Sequence, residues 1–246
     1  MLPSLFQAQA VQGWSSGMLQ IVDALLADQT VTDGCLLEIG CGSGQFLRHW
    51  QMAHPRQMLV GVDLHPLALS VAKTENQRSA VRHTTQFTQA HLTRLPFDNA
   101  SFDTIVALDV FDQHEVNLTG ALAEAKRLLK PCGLLLLRVS AYPWLYGVHD
   151  VAFNTGRRFG KEELRHAAEA ADFRVQRVTY ANALLAAPII ASRFLQKWGW
   201  IDSMAGLYES SLTNWLFEQT LALESQWLRQ QNLPFGVSLY VVAQRR

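Results

Sequence analysis

The sequence predicts an α/β fold, a doubly wound and mainly parallel sheet with helices on both faces. Three observations predict it. Apolar runs of strand length alternate with amphipathic runs of helix length along most of the chain. The segment Glu38-Ile39-Gly40-Cys41-Gly42-Ser43-Gly44 directly follows one apolar run. An acid therefore ends a buried strand, and three alternating glycines turn the chain into a helix beginning near Gln45. About 19 residues beyond Gly44, Leu59-Val60-Gly61-Val62-Asp63 reads as a second strand ending on a carboxylate, the spacing of a βαβ unit.

The elements follow in order. Met18, Leu19, Ile21, Val22, Leu25 and Leu26 recur at helical spacing, which predicts an amphipathic helix within an N-terminal cap over residues 1–34. Cys35–Ile39 is the first strand, Gln45–Met52 begins the next helix, and Leu59–Asp63 and Leu67–Arg78 are the following strand and helix. Gln86–His91 is a weakly apolar third strand. Thr104–Leu108 is a continuous apolar run, as expected of a strand covered on both faces. Leu118–Leu129 is helical, Leu134–Val139 is the fifth strand, Lys161–Ala171 a helix, Arg174–Thr179 the sixth strand and Val237–Ala243 the last. Residues 35–180 read as the core, and residues 235–246 as its final strand. Between them, residues 181–234 read as a helical insertion. There Tyr208, Leu212, Trp215, Leu216, Leu223 and Trp227 are spaced as the buried stripe of a long helix, after the bulky Trp198 and Trp200.

Composition narrows the function. Lys+Arg and Asp+Glu are both 21 in 246 residues, so the formal charge is zero, and no basic patch of the kind nucleic acid demands stands out. No Lys or Arg precedes Arg48, so the N-terminus lacks the positive region of a secretory signal. Cys35, Cys41 and Cys132 are odd in number and lack metal-ligand spacing, which fits reduced thiols in cytosol and no metal site. Ala183–Leu195 is the most membrane-like segment. It is shorter than the roughly 20 residues a spanning helix needs, and it contains Pro188 and Arg193. No transmembrane span is expected, and peripheral membrane contact stays open.

The glycine loop indicates a nucleoside ligand. Glycine lets the backbone press against a ligand, and a helix N-terminus offers unpaired N–H groups to its polar end. The dinucleotide fingerprint G-x-G-x-x-G would need its third glycine at position 45, where this chain has Gln45; the extra glycine comes one residue early, at Gly44. A mononucleoside with a short zwitterionic tail fits this pattern better than a pyrophosphate does.

The pattern acid-x-G-x-G-x-G over Glu38–Gly44 resembles the first motif of class I S-adenosylmethionine-dependent methyltransferases. The likeness continues through Asp63-Leu64-His65-Pro66, through Leu95-Pro96-Phe97 with Ser101-Phe102-Asp103, and through Leu129-Lys130-Pro131-Cys132-Gly133. The last two are similar to the type 11 methyltransferases, whose turn before strand five normally ends in two glycines. The resemblance implies a Rossmann-like methyltransferase sheet of order 3-2-1-4-5-7-6 with the last strand antiparallel. It also implies S-adenosyl-L-methionine as cofactor. By matching position, Glu38, Gly40, Cys41, Gly42 and Gly44 face the methionine tail and ribose, Asp63 accepts both ribose hydroxyls, and Leu64 lies against adenine. The family's acid near the adenine amino group is replaced by His91, with the Leu92 backbone N–H as a substitute contact, and the Leu108 backbone approaches the methionine portion.

A narrower resemblance, to a bacterial type 11 subgroup, runs from Ala107-Leu108-Asp109-Val110-Phe111 through Ala141–Leu145 to His149-Asp150 and Arg157-Arg158-Phe159. The subgroup's Glu-His pair after strand four is Asp112-Gln113 here, with His114 one place late, and Thr155 replaces a further histidine. Tyr142, Trp144 and Tyr146 lie just beyond strand five, on the edge where α/β sheets bind ligands, and form a candidate acceptor pocket. His149 is a candidate base oriented by a carboxylate, with Asp150 as the candidate partner. The alternative is that His149 and Asp150 brace the loop by pairing with Arg157 or Arg158.

The function read from these residues is methyl transfer from S-adenosylmethionine to a small, apolar or amphipathic acceptor. A second reading is a catalytically inactive methyltransferase-like module whose insertion is a partner interface. A third, a nicotinamide oxidoreductase, is opposed by Gln45. The reading is of a cytoplasmic protein, monomer or homodimer, whose insertion serves as a lid, interface or membrane contact.

Overall fold

The computed structural model describes residues 12–27, 29, 34–78, 85–200 and 211–246. Seven strands form one mixed sheet: β1 (Cys35–Ile39), β2 (Met58–Asp63), β3 (Gln86–Gln89), β4 (Phe102–Leu108), β5 (Leu129–Ser140), β6 (Phe173–Ala181) and β7 (Ser238–Arg245). The order β3-β2-β1-β4-β5-β7-β6 is the one the resemblance implies. The helices are α1 (Gln12–Leu26), α2 (Gln45–Ala53), α3 (Pro66–Arg78), α4 (Leu118–Leu128), α5 (Val148–Ala152), α6 (Lys161–Ala170), α7 (Ala186–Lys197) and α8 (Ser211–Leu228). The chain divides into two compact units. One is drawn from Met1–Gln29, Ser140–Gly160 and Thr179–Leu239, and the other from Thr30–Val139, Lys161–Val178 and Tyr240–Arg246. The cap helix and the loop after β5 thus group with the inserted helices.

In the second unit the neighbours β2-β1-β4-β5 run parallel, in registers that set Glu38 beside Gly61 and Val106, and Leu108 beside Arg138. Every residue of β1 is buried, as are Ile105, Val106 and Ala107 of β4. Burying each such aliphatic side chain stabilises by about 1.5–3 kcal/mol. The family-like motifs here hold the fold together. Asp103 Oδ2 accepts the Cys35 N–H at 2.8 Å and the Lys130 ammonium at 2.8 Å. The guanidinium of Arg127 donates to the carbonyls of Leu95 at 3.1 Å and Phe97 at 2.8 Å, while Glu124 Oε1 accepts the Leu95 N–H at 2.8 Å. The Lys130–Gly133 stretch, read as a turn before strand five, belongs to β5 as an irregular start. The register there shifts between Phe102 and Thr104, and Cys132 takes a left-handed φ of 61°.

In the first unit α1 lies along α8. Gly17 permits this approach, since a Cβ there would sit 2.5 Å from that of Leu221. Ser16 Oγ donates to Glu218 at 2.9 Å, and Trp14 meets Phe217 edge-on at 6.0 Å. The sequence-based stripe on this helix is corrected. Leu212, Trp215, Leu216, Leu223 and Trp227 are 47–64 % exposed, and the buried positions are Leu221, Glu224, Ser225 and Leu228; Tyr208 lies outside the described residues. α8 is apolar on two faces, and α1 takes the face that periodicity did not single out. Glu224 is the buried polar anchor: its carboxylate accepts the backbone N–H groups of Asn182, Ala183 (2.8 Å) and Leu184 (3.2 Å) at the end of β6. Burial pushes its carboxyl up, against those three donors.

Candidate cofactor site

The carboxyl ends of β1, β2 and β4 converge beside the point where strand order reverses, between β1 and β4. The loop after β1 is held from below: the N–H groups of Gly40 and Cys41 both donate to the Val62 carbonyl, at 2.8 and 2.9 Å. Gly40, Gly42 and Gly44 all have positive φ (73°, 51° and 72°), conformations that side chains resist. Their surroundings differ. A Cβ on Gly40 would lie 2.8 Å from Val110 and one on Gly44 3.1 Å from Phe87, so these two serve packing; one on Gly42 would meet nothing within 4 Å. Of the three, Gly42 alone is left uncovered by the described residues.

Two carboxylates flank that opening. Asp63 is half-buried, with Oδ2 accepting the Gly42 N–H at 2.8 Å and Oδ1 the His65 N–H at 2.9 Å. These bonds fix the carboxylate relative to the loop and leave further lone pairs outward. Glu38 is buried, and among the described residues its Oε2 accepts no hydrogen bond. Such an atom calls for a donor from outside the chain. Burial, reinforced by the Asp63 charge and opposed by Arg48 and Arg138, raises the Glu38 carboxyl well above the usual carboxylate range. Cys41 is buried beneath the loop. Burial first, then Glu38 and Asp63, push its thiol up, so it is no thiolate nucleophile.

The Glu38 shift carries a pH prediction. Above the ordinary value of 4.5, the unfolded chain releases this proton while the folded chain retains it. The folded state then binds more protons, and stability falls as pH rises through the raised value. Glu38→Gln removes this slope. Thermal unfolding between about pH 5 and 8 should show the variant gaining on the wild type as pH rises; parallel curves would contradict the assignment.

The remaining predicted contacts surround the same loop. Leu64 is 52 % exposed, an apolar side chain offered outward, and Gln89 Nε2 holds its carbonyl at 3.0 Å. The Ala90 N–H donates to the Asp63 carbonyl at 3.2 Å, which brings exposed His91 and half-buried Leu92 to the end of β2. His91 is engaged by Thr93. The Thr93 N–H points at its Nδ1 (3.4 Å), and Thr93 Oγ1 lies 2.8 Å from the same atom. Thr93 thus engages Nδ1, which leaves Nε2 as the ring nitrogen for a ligand. Half-buried Leu108 ends β4, and Asp109 follows at a strained φ of 54°. Its carboxylate is gripped by Arg138, Nε to Oδ1 at 2.7 Å with a second bond from Nη2 to Oδ2. Burial would lower the Arg138 pKa, but Asp109 and Tyr240 outweigh it and keep the guanidinium charged. Sequence reasoning missed this pair, as it missed Arg48, whose Nη1 donates to the Ser43 carbonyl.

The loop after β5, in the first unit, answers the question left open about His149 and Asp150. Asp150 is 1 % exposed on α5. Its Oδ1 accepts from Arg158 Nε at 2.9 Å, and its Oδ2 from Arg193 Nη1 at 2.9 Å and the Gly147 N–H at 2.9 Å. Burial would raise its pKa; Arg158, Arg193 and that N–H hold it below the usual carboxylate range instead. A carboxylate held by two guanidiniums braces the loop, through the Arg158 pairing that the sequence offered as the alternative. His149 is exposed, its ring 4.4 Å from that of Phe153. Arg157 lies over the Phe159 ring at 4.3 Å. Tyr142 stacks on Tyr180 at 5.2 Å and tilts against Trp144 at 5.6 Å; Tyr146 donates its hydroxyl to the Thr155 carbonyl at 3.1 Å. Among the described residues no cluster of His, Cys, Asp or Glu could hold a metal, and no helix is long and apolar enough to cross a membrane.

A sheet of this order, with a glycine loop and strand-end acids at its switch point, is the Rossmann-like fold of class I methyltransferases. Residues 37–137 match the family model described as "Methyltransferase domain". One relative is the malonyl-[acyl-carrier protein] O-methyltransferase of Halalkalibacterium halodurans, 29 % identical over 137 residues that cover 54 % of this chain and 49 % of that protein. The chain spans about half the length, or less, of the curated relatives it matches. Among solved structures, geranyl diphosphate C-methyltransferase from Streptomyces coelicolor has a TM-score of 0.64 at 15 % identity, covering 94 % of this chain and 79 % of that one. The [4+2]-cyclase SpnF has a TM-score of 0.61 at 18 % identity, covering 92 % and 80 %. At such identities the likeness is of fold, and a cyclase shares it.

Proposed function

We propose that the chain is an S-adenosylmethionine-dependent methyltransferase acting on a small, apolar or amphipathic acceptor. The observation that carries this reading is the buried, unsatisfied Glu38 Oε2 beside the uncovered Gly42 and the fixed carboxylate of Asp63. An ammonium group satisfies the first, and a ribose diol suits the last. Bound S-adenosylmethionine supplies an electrophilic methyl on a sulfonium together with its own leaving group. The chain's residues then bind and align. Glu38 accepts from the amino-acid ammonium, Asp63 from the ribose hydroxyls, and Leu64 covers one adenine face. His91 offers Nε2 to the adenine, with the Leu92 backbone beside it. Gly40, Cys41 and Gly44 keep the loop in shape, and the Leu108 backbone faces the methionine portion. In-line transfer needs alignment and exclusion of water more than a base.

Tyr142, Trp144 and Tyr146 supply aromatic surface for an acceptor, and balanced charge favours a small molecule over nucleic acid in the cytosol. His149 is the titratable group assigned to acceptor contact, and Asp150 is assigned to bracing. Isothermal titration tests the reading. S-adenosylhomocysteine should bind saturably below about 1 mM, and a reduced nicotinamide dinucleotide should not. Binding of the dinucleotide alone would overturn it.

A further inference from the structure

Helices α5 and α7 border a groove of about 190 Å³ within the first unit. Trp144, Val148 and Phe194 give it apolar walls, and its charged or titratable lining side chains are His149, Arg193 and Lys197. Among the described residues no carboxylate side chain lines it. Arg193 and Lys197 stand one helical turn apart, so both lie on the α7 face that carries Phe194. The carboxylate bound to Arg193, Asp150, is shared with Arg158. The groove therefore joins an aromatic surface to two cations, Arg193 and Lys197.

The apolar surface continues beyond it. The Trp144 ring stacks on Phe194 at 6.3 Å, Phe194 lies 6.0 Å from Trp198, and Trp198 lies 5.9 Å from Trp200. Trp144, Trp198 and Trp200 are 57, 63 and 74 % exposed. The groove is smaller than the roughly 300–1,000 Å³ of a drug-sized pocket, so it accommodates a segment of a ligand whose remainder follows the exposed rings.

We infer that this groove takes an amphipathic anion: an extended apolar body laid on Trp144 and Phe194, with a carboxylate or phosphate directed to Lys197. A cationic head would meet like charge on Arg193 and Lys197, and a neutral one would leave the lysine without a counter-charge among the described residues. Naming this ligand as the acceptor rests on the methyltransferase reading; the binding itself does not.

The test is calorimetric titration of the full chain with decanoate, decanol and decyltrimethylammonium below their micelle concentrations, without cofactor. Decanoate should bind at least about ten-fold more tightly than the cation. Lys197→Glu, an exposed change at a helix end, should erase or reverse that preference. Trp144→Ala and Phe194→Ala should each weaken every chain-bearing ligand. Equal affinity for the three amphiphiles, affinity unaffected by Lys197→Glu, or no saturable binding overturns the inference. Decanoate binding without S-adenosylhomocysteine binding upholds the groove and sinks the methyl-donor reading; the converse result sinks the groove alone. Decyl phosphate and decanoate, compared in the same cell, distinguish the two anionic heads.

Discussion

Asp150→Ala should destabilise its unit by about 3–5 kcal/mol, the cost of leaving buried cations without their partner. Arg158 is buried with it, and Arg193 is mostly so; both guanidiniums and the Gly147 N–H converge on this one carboxylate. Asp150→Asn keeps the shape and one acceptor oxygen but removes the charge, so it should fall between alanine and the wild type. Urea unfolding followed by tryptophan fluorescence measures the loss. A change under about 1 kcal/mol for alanine would contradict the bracing role. The same variants separate bracing from proton transfer. A catalytic carboxylate lost as Asn would abolish turnover in a stable protein and alter the pH profile. A brace lost as Asn lowers stability while leaving the profile's shape unchanged.

Asp63→Ala should weaken S-adenosylhomocysteine binding by about 1.5–3 kcal/mol, roughly ten- to a hundred-fold in Kd. Two losses combine. The ribose forfeits a charge-assisted acceptor, and the loop forfeits the bond from Gly42 N–H that aligns its uncovered glycine. Asp63→Asn preserves one acceptor oxygen and should lie between. Titration of the folded variant decides it: an unchanged dissociation constant would contradict the ribose assignment.

What could be read from the sequence was mostly local. The apolar run at Cys35–Ile39, the three glycines and the acid at position 63 each declare a strand, a turn and a strand end within a few residues, and all stand where expected. The strand order needed the family resemblance, because pairing of β1 with β4 joins segments far apart in sequence. Periodicity failed on α8 because apolar residues occupy two faces, and nothing local says which one α1 takes. Glu224 looked like surface charge, and its burial depends on three amide donors some forty residues earlier. Arg138 with Asp109, and Arg193 with Asp150, are likewise long-range pairs. The glycine loop showed that a nucleoside could be gripped. It did not show that the described residues leave Gly42 uncovered while Gly40 and Gly44 are committed to Val110 and Phe87.

A crystal structure of the chain soaked with S-adenosylhomocysteine tests the central claim most directly. The account predicts the ribose hydroxyls on the Asp63 carboxylate, the ammonium within hydrogen-bond reach of Glu38 Oε2, and the amino-acid tail crossing Gly42. An empty crevice at saturating ligand, or a pyrophosphate seated on the loop, would contradict it.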